Sequence, residues 1–157
     1  MGDISDTLYT IAFECNEARV LTSTDLKNYS KFSVSNCRKD GITGCAIYYF
    51  GKFIQIFEGD EAKVLALYSK IKLDGRLEEV YSFSEDLIIH KDFPNWGMAY
   101  YPENRKILEN NEFTEFRNNL RLMAAFSNPT NLTSKLFWKR VEMYLEHIPN
   151  FLKFQNE

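Results

Sequence analysis

The sequence predicts an α+β fold: a ferredoxin-like βαββαβ sheet with a fifth strand, two helices on one face, and a helical segment at the C-terminal end. Three observations lead there. Stretches with an apolar residue at every second position alternate with stretches repeating at i, i+3, i+4 and i+7, in the order β-α-β-β-α-β, with one further strand. The two middle strands are joined by a tight turn at Phe50-Gly51. Past Pro102 the strand pattern stops and helical stripes take over. Residues 7–102 therefore read as the sheet domain and residues 103–150 as a helical cap or interaction segment.

Each element has its own signal. Leu8 to Glu14 alternates, with Tyr9, Ile11 and Phe13 on one face. Thr22-Ser23-Thr24-Asp25 supplies N-cap chemistry for a helix to about Arg38, whose inward face is Leu26, Tyr29, Ser33, Asn36 and Cys37. That face begins apolar and ends polar, so either its last turn frays into water or it faces something polar. Ile42 to Tyr49 and Lys52 to Glu58 form the hairpin, and Asp60 caps a second helix with Val64, Leu67, Tyr68 and Ile71 inward and Gly75 as its stop. Lys70 and Asp74 stand four apart on it, close enough to pair. A strand follows within Glu79 to His90, and another runs from Trp96 to Tyr101 with Trp96 and Met98 on one face. Phe113, Phe116, Leu120 and Met123 mark a third helix, Asn128-Pro129-Thr130-Asn131 breaks it, and Phe137, Val141, Tyr144, Leu145 and Ile148 mark a fourth. Those last two stripes need the open sheet face or another subunit to cover them.

Composition narrows the function classes. The 157 residues carry 13 Phe and 9 Tyr, enough for an aromatic-rich core. A net charge of −3 without a Lys/Arg block argues against nucleic acid. No apolar run approaches the roughly 18 residues of a membrane span. The start, Met1 to Asp6, has neither the basic region nor the apolar core of a signal peptide, and Asp6 replaces the hydroxyl residue of a myristoylation motif. Cys15, Cys37 and Cys45 are odd in number and fit no zinc spacing, which suggests reduced thiols in the cytoplasm. His90 and His147 lie too far apart to suggest a metal site, and Asn131-Leu132-Thr133 reads as a turn and helix start rather than a glycosylation site. No nucleophile–base pair or phosphate loop appears, so no enzymatic activity is expected.

The most telling residue is Gln55. It shares a strand face with Phe53 and Phe57, and a buried amide left unpaired costs roughly 1–3 kcal/mol. It therefore requires a dedicated partner.

Four fragments give the chain a family resemblance. They are Asn36-Cys37-Arg38-Lys39-Asp40-Gly41-Ile42-Thr43-Gly44, then Gly51-Lys52-Phe53-Ile54-Gln55-Ile56-Phe57-Glu58-Gly59, then Asp74-Gly75-Arg76, then Phe93-Pro94-Asn95-Trp96-Gly97-Met98. In this order and spacing, over roughly Leu8 to Tyr101, the chain resembles the BLUF family, blue-light sensors that bind FAD. The resemblance implies a flavin between the first two helices. Ile71 would lie against the ring, Ser33 and Asn36 at its edge, Lys70 near its pyrimidine end, and Asp74 and Arg76 at the downstream polar positions. Gln55 matches the glutamine whose hydrogen bonds switch on illumination, and Trp96 and Met98 match the strand that reports the switch.

Two positions depart from that pattern. The family's photoactive tyrosine falls at Phe13, which has no hydroxyl to give a proton. The second of its paired asparagines falls at Cys37, and a thiol is a weak donor and acceptor. Two functions are expected from this sequence. The first is a BLUF-type photoreceptor with an altered or impaired photocycle, signalling from Gln55 through the Trp96/Met98 strand to the C-terminal helices and a downstream protein partner, with self-association into a homo-oligomer. The alternative is a BLUF-fold protein–protein interaction module that binds flavin weakly or not at all.

Overall fold

The computed structural model describes residues 7–101 and 110–146. In chain order the elements are β1 (Leu8–Glu17), α1 (Ser23–Asp40), β2 (Thr43–Tyr49), β3 (Lys52–Asp60), α2 (Glu61–Lys72), β4 (Leu77–Ile88), β5 (Trp96–Tyr101), α3 (Asn110–Phe126) and α4 (Leu132–Glu146). The sheet runs β4-β1-β3-β2-β5. Its first four strands pair antiparallel in the ferredoxin-like order, and β5 adds to β2 in parallel. Strand alternation sends side chains to opposite faces, so the central strand β3 is buried on both.

One face packs on α1 and α2. Tyr9, Ile11 and Phe13 of β1 and Phe53 and Phe57 of β3 cluster there with Leu26, Tyr29 and Cys37 of α1 and Val64 and Ile71 of α2. The other face packs on α3 and α4. Cys45, Ile47, Ile54 and Ile56 meet Phe116, Leu120, Phe137, Val141 and Leu145 there. Of the two surfaces the sequence allowed for the C-terminal stripes, the open sheet face is the one used. The side chain of Phe113, and Ile148, lie outside the described residues. No described helix is long and apolar enough to cross a membrane.

Local chemistry accounts for most element ends. Thr22 and Asp25 close a capping box at the start of α1, with Asp25 N donating to Thr22 Oγ1 (3.0 Å) and Thr22 N to Asp25 Oδ2 (2.9 Å). The polar last turn does not fray: α1 continues to Asp40 with Cys37 buried, and ends on Gly41 at φ 70°. Asp60 caps α2, accepting from Lys63 N at 3.2 Å.

The end of α2 corrects the expected glycine stop. The helix finishes at Lys72 with Leu73 in right-handed geometry. Asp74, not Gly75, shapes the turn that follows, accepting from Arg76 N at 2.9 Å. Asp74 also pairs with the Arg76 guanidinium at 2.8 Å, while Lys70, four residues before it, lines a cavity together with Asp74. β1 runs three residues past its expected end, and β4 starts two residues early with a register shift near Glu79, whose φ is 55°.

Gly44 is the tightest point of the sheet. Its φ is +134°, and a Cβ there would stand 2.0 Å from the Ile56 carbonyl oxygen. Gly44→Ala is expected to cost roughly 3 kcal/mol or more in chemical unfolding. Gly75→Ala, with nothing within 4 Å of its added Cβ, is the near-neutral control.

Candidate functional site

Between α1 and α2 opens a cavity of about 220 Å³. The helical repeat of α1 sets Tyr29, Ser33, Asn36 and Cys37 along one wall. α2 and the turn after it supply Leu67, Lys70, Ile71, Asp74 and Arg76, and Phe57 closes the sheet side. Its lining combines the apolar Phe57, Leu67 and Ile71 with the polar Ser33, Asn36, Lys70, Asp74 and Arg76. This combination suits a flat, largely aromatic ligand with a polar edge. The Arg76 guanidinium holds Asp74 by two bonds, Nε to Oδ1 (3.0 Å) and Nη2 to Oδ2 (2.8 Å). The Arg76 guanidinium and backbone N–H keep that carboxyl below its usual value of 3.8, against its partial burial.

Six of the sequence-predicted site residues thus come together: Ser33, Asn36, Lys70, Ile71, Asp74 and Arg76. The other three stand behind the cavity on the sheet. Gln55 is fully buried and is not a cavity wall. Its cross-strand neighbours are Phe13 on β1 and Ala46 on β2, and Ala46 in turn faces Met98 on β5. Phe13, Gln55, Ala46 and Met98 therefore form one transverse row. The next row is Ile11, Phe57, Gly44 and Trp96. Because Gly44 has no side chain, the Trp96 ring reaches across it to Phe57, with centroids 5.3 Å apart. The Trp96 indole nitrogen is buried and has no hydrogen-bond partner among the described residues.

Phe13 is fully buried, its ring edge-on to Tyr68 at 5.0 Å and tilted against Phe57 at 5.3 Å. It gives Gln55 no hydrogen bond. That partner is Tyr29, whose hydroxyl lies 3.2 Å from Gln55 Nε2 and 3.5 Å from Oε1. Helical spacing placed Tyr29 on the inward face, but its pairing with Gln55 joins residues 26 apart in sequence and left no local mark. Burial pushes the Cys37 thiol up to about 12, with Asp40 adding to the effect, so Cys37 is not a ready nucleophile.

A second polar set, on the opposite face, links β3 to α4. Glu58 is fully buried and accepts from Thr43 Oγ1 (2.8 Å), Asp92 N (2.6 Å) and Phe93 N (3.0 Å). Burial raises its carboxyl, against the pull of those bonds. The Asp92 carboxylate accepts from Thr130 N and Ser134 Oγ (2.8 and 2.7 Å), Thr130 Oγ1 (2.7 Å) and Asn131 Nδ2 (3.0 Å). Burial opposes its charge, yet these donors hold it below the usual 3.8. Nothing in the local pattern of the chain marked either carboxylate.

The signs of the two shifts differ. Asp92, lowered by folding, stabilises above pH 3.8 and loses that contribution as pH falls through its folded value, while Glu58, raised by folding, favours the fold as pH drops toward 4.5. Acidification below pH 3.8 is therefore expected to release α4 through Asp92. Asp92→Asn should cost about 2 kcal/mol at neutral pH and flatten that acid limb, as read from unfolding midpoints across pH.

Comparison with known proteins gives the same reading. Residues 8–99 match the family BLUF, sensors of blue-light using FAD. Photoactivated adenylate cyclase subunit alpha of Euglena gracilis is 30% identical over 73 residues, a match covering 46% of this chain and 7% of that protein. Among solved structures, the BLUF protein BlrB in its dark state superposes with a TM-score of 0.59 at 21% identity, over 74% of this chain and 89% of that one. Klebsiella pneumoniae BlrP1 superposes at 0.66 and 19% identity, over 92% and 35%. At these identities the structures attest the fold, and the family match over more than half of the sequence attests the lineage: the chain belongs to the BLUF family, the sensors of blue light using FAD.

Proposed function

We propose that the α1–α2 cavity takes the flavin ring of FAD, and that this blue-light sensor runs an altered photocycle. The observation that carries the reading is the placement of Gln55. It is a fully buried amide in the same transverse row as Met98, bonded to a wall of the cavity through Tyr29. The residues present fit a flavin: the walls Ile71, Leu67 and Phe57 are apolar, and Ser33, Asn36, Lys70 and Arg76 supply polar groups at the rim. The buried Trp96 indole nitrogen beside Phe57 adds a donor without a partner among the described residues.

A bound flavin supplies the absorption of blue light. The protein's part is to hold the ring edge and to turn a change at Gln55 into movement. Ser33, Asn36 and Arg76 would grip the polar edge and Ile71 the ring face. β5 is set to carry the change outward, because its alternate residues serve both layers. Trp96 and Met98 pack with the cluster under α1 and α2, while a Cβ added at Gly97 would stand 3.9 Å from Met123 Sδ of α3. The output would be a protein contact made by the C-terminal helices rather than catalysis. Leu122, Phe126, Leu132 and Met143 remain exposed on α3 and α4 and offer a face for a second copy or a downstream partner. The buried free thiols suit a cytoplasmic setting.

A flavin-poor interaction module of the same fold is the second reading. The observation in its favour is that Tyr29 already satisfies Gln55 without any ligand, while Cys37 has replaced an amide.

Absorption spectra of the purified protein, dark and after blue light, with and without added FAD, separate the two. A flavin band with a small reversible red shift is expected, and no band even with added FAD would select the interaction module. Asn36→Ala and Arg76→Ala should each weaken FAD uptake about five- to tenfold. Phe13→Tyr, which restores the missing phenol opposite Gln55, is expected to enlarge the red shift, and an unchanged shift would move attention to Cys37.

A further inference from the structure

We infer that Tyr29 is the positioning residue for Gln55, a two-way anchor whose hydroxyl holds the amide in either of its orientations. The inference rests on the reading of Gln55 as the switching residue. The four side chains that flank Gln55 most closely on the sheet cannot bond it: Phe13 and Ala46 across the strands, and Phe53 and Phe57 along its own. The bond comes from the helix layer, where α1 delivers it through Tyr29.

The hydroxyl lies within 3.5 Å of both ends of the amide, Nε2 at 3.2 Å and Oε1 at 3.5 Å. A hydroxyl is one rotatable donor and two acceptors. With Nε2 toward it, the hydroxyl accepts. With Oε1 toward it, the hydroxyl rotates and donates. A half-turn of the amide thus exchanges donor and acceptor while keeping the partner, which a carboxylate or an ammonium group could not offer.

The anchor is itself held in place. The Tyr29 ring packs at 5.1 Å from Phe53, and the Arg76 guanidinium stands 5.3 Å over its face, pinned in turn by Asp74. Burial raises the phenol above its ordinary value, so it stays neutral and keeps both roles. Tyr29 also lines the cavity on the same helix face as Ser33 and Asn36. The phenol absent from position 13 of the sheet is present instead on the helix.

Tyr29→Phe removes the hydroxyl and keeps the ring. In flavin-free protein, the Gln55 side-chain amide signals, assigned by their loss in Gln55→Leu, are expected to move and to lose at least tenfold of their protection from hydrogen exchange. In FAD-loaded protein, Tyr29→Phe should keep the flavin band and lose the light-induced shift. Retention of both the amide signals and the shift in Tyr29→Phe overturns the proposal. The flavin-free measurement decides the anchor even if the wild-type protein takes up no FAD, so failure of the functional reading is told apart from failure of this one. Should Tyr29→Phe not fold, the phenolic carbon signal of Tyr29 in Gln55→Leu reports the same pair from the other side: a shift supports it, and no shift overturns it.

Discussion

The structure turns on a constraint at β3. This strand is buried on both faces, yet it carries two fully buried polar side chains, Gln55 on one face and Glu58 on the other. Neither can reach water, so each must be fed hydrogen bonds by the layer it faces. Gln55 requires a group from α1, which Tyr29 provides. Glu58 requires backbone donors from the loop before β5, which Asp92 and Phe93 provide. The central strand therefore fixes the layer of the candidate cavity on one side and the loop that seats α4 on the other.

From Glu58 the polar contacts continue without a gap. Asp92 donates its backbone N–H to Glu58 and accepts with its side chain from Thr130, Asn131 and Ser134 at the start of α4. Elsewhere along α4, Arg140 meets the buried Glu14, Thr133 meets Asp86, and Tyr144 donates to the Tyr49 carbonyl at 2.9 Å. The helix is thus set on the sheet by directional bonds as well as by its apolar stripe. Apolar packing tolerates small slides, whereas charged hydrogen bonds at fixed points do not. The position of α4 is accordingly tied to the sheet that also carries Gln55.

Much of this was legible in the sequence, because the relevant signals are local. Alternation in β1 to β3, the Thr22–Asp25 capping box, the hairpin at Phe50-Gly51 and the stripe on α2 are short-range patterns, and the structure follows them. Gln55 stood out as a polar residue among phenylalanines, which is also a local contrast. What stayed hidden depends on distant pairing. Tyr29 could be placed on a face but not next to Gln55. Glu58 read as the end of a strand, and Asp92 as part of a loop. The end of α2 was misread for a related reason: Gly75 is the usual helix stop, but the turn is made by Asp74 reaching forward to Arg76.

Placing the phenol on α1 instead of β1 changes which parts of the molecule feel Gln55. A hydroxyl on β1 would couple the amide to a neighbouring strand, where ladder hydrogen bonds on both sides resist movement. A hydroxyl on α1 couples it to the helix that also carries Ser33 and Asn36, the wall that would hold a ligand's edge. On the proposed reading, reorientation of Gln55 would act on the cavity wall directly and on β5 through the transverse row to Met98. Coupling of this kind is reciprocal, so a ligand that shifts α1 biases the amide by as much as the amide biases the ligand. With Phe13 beside it on the sheet and Tyr29 on α1, Gln55 finds its hydrogen-bond partner on the element that forms the cavity wall.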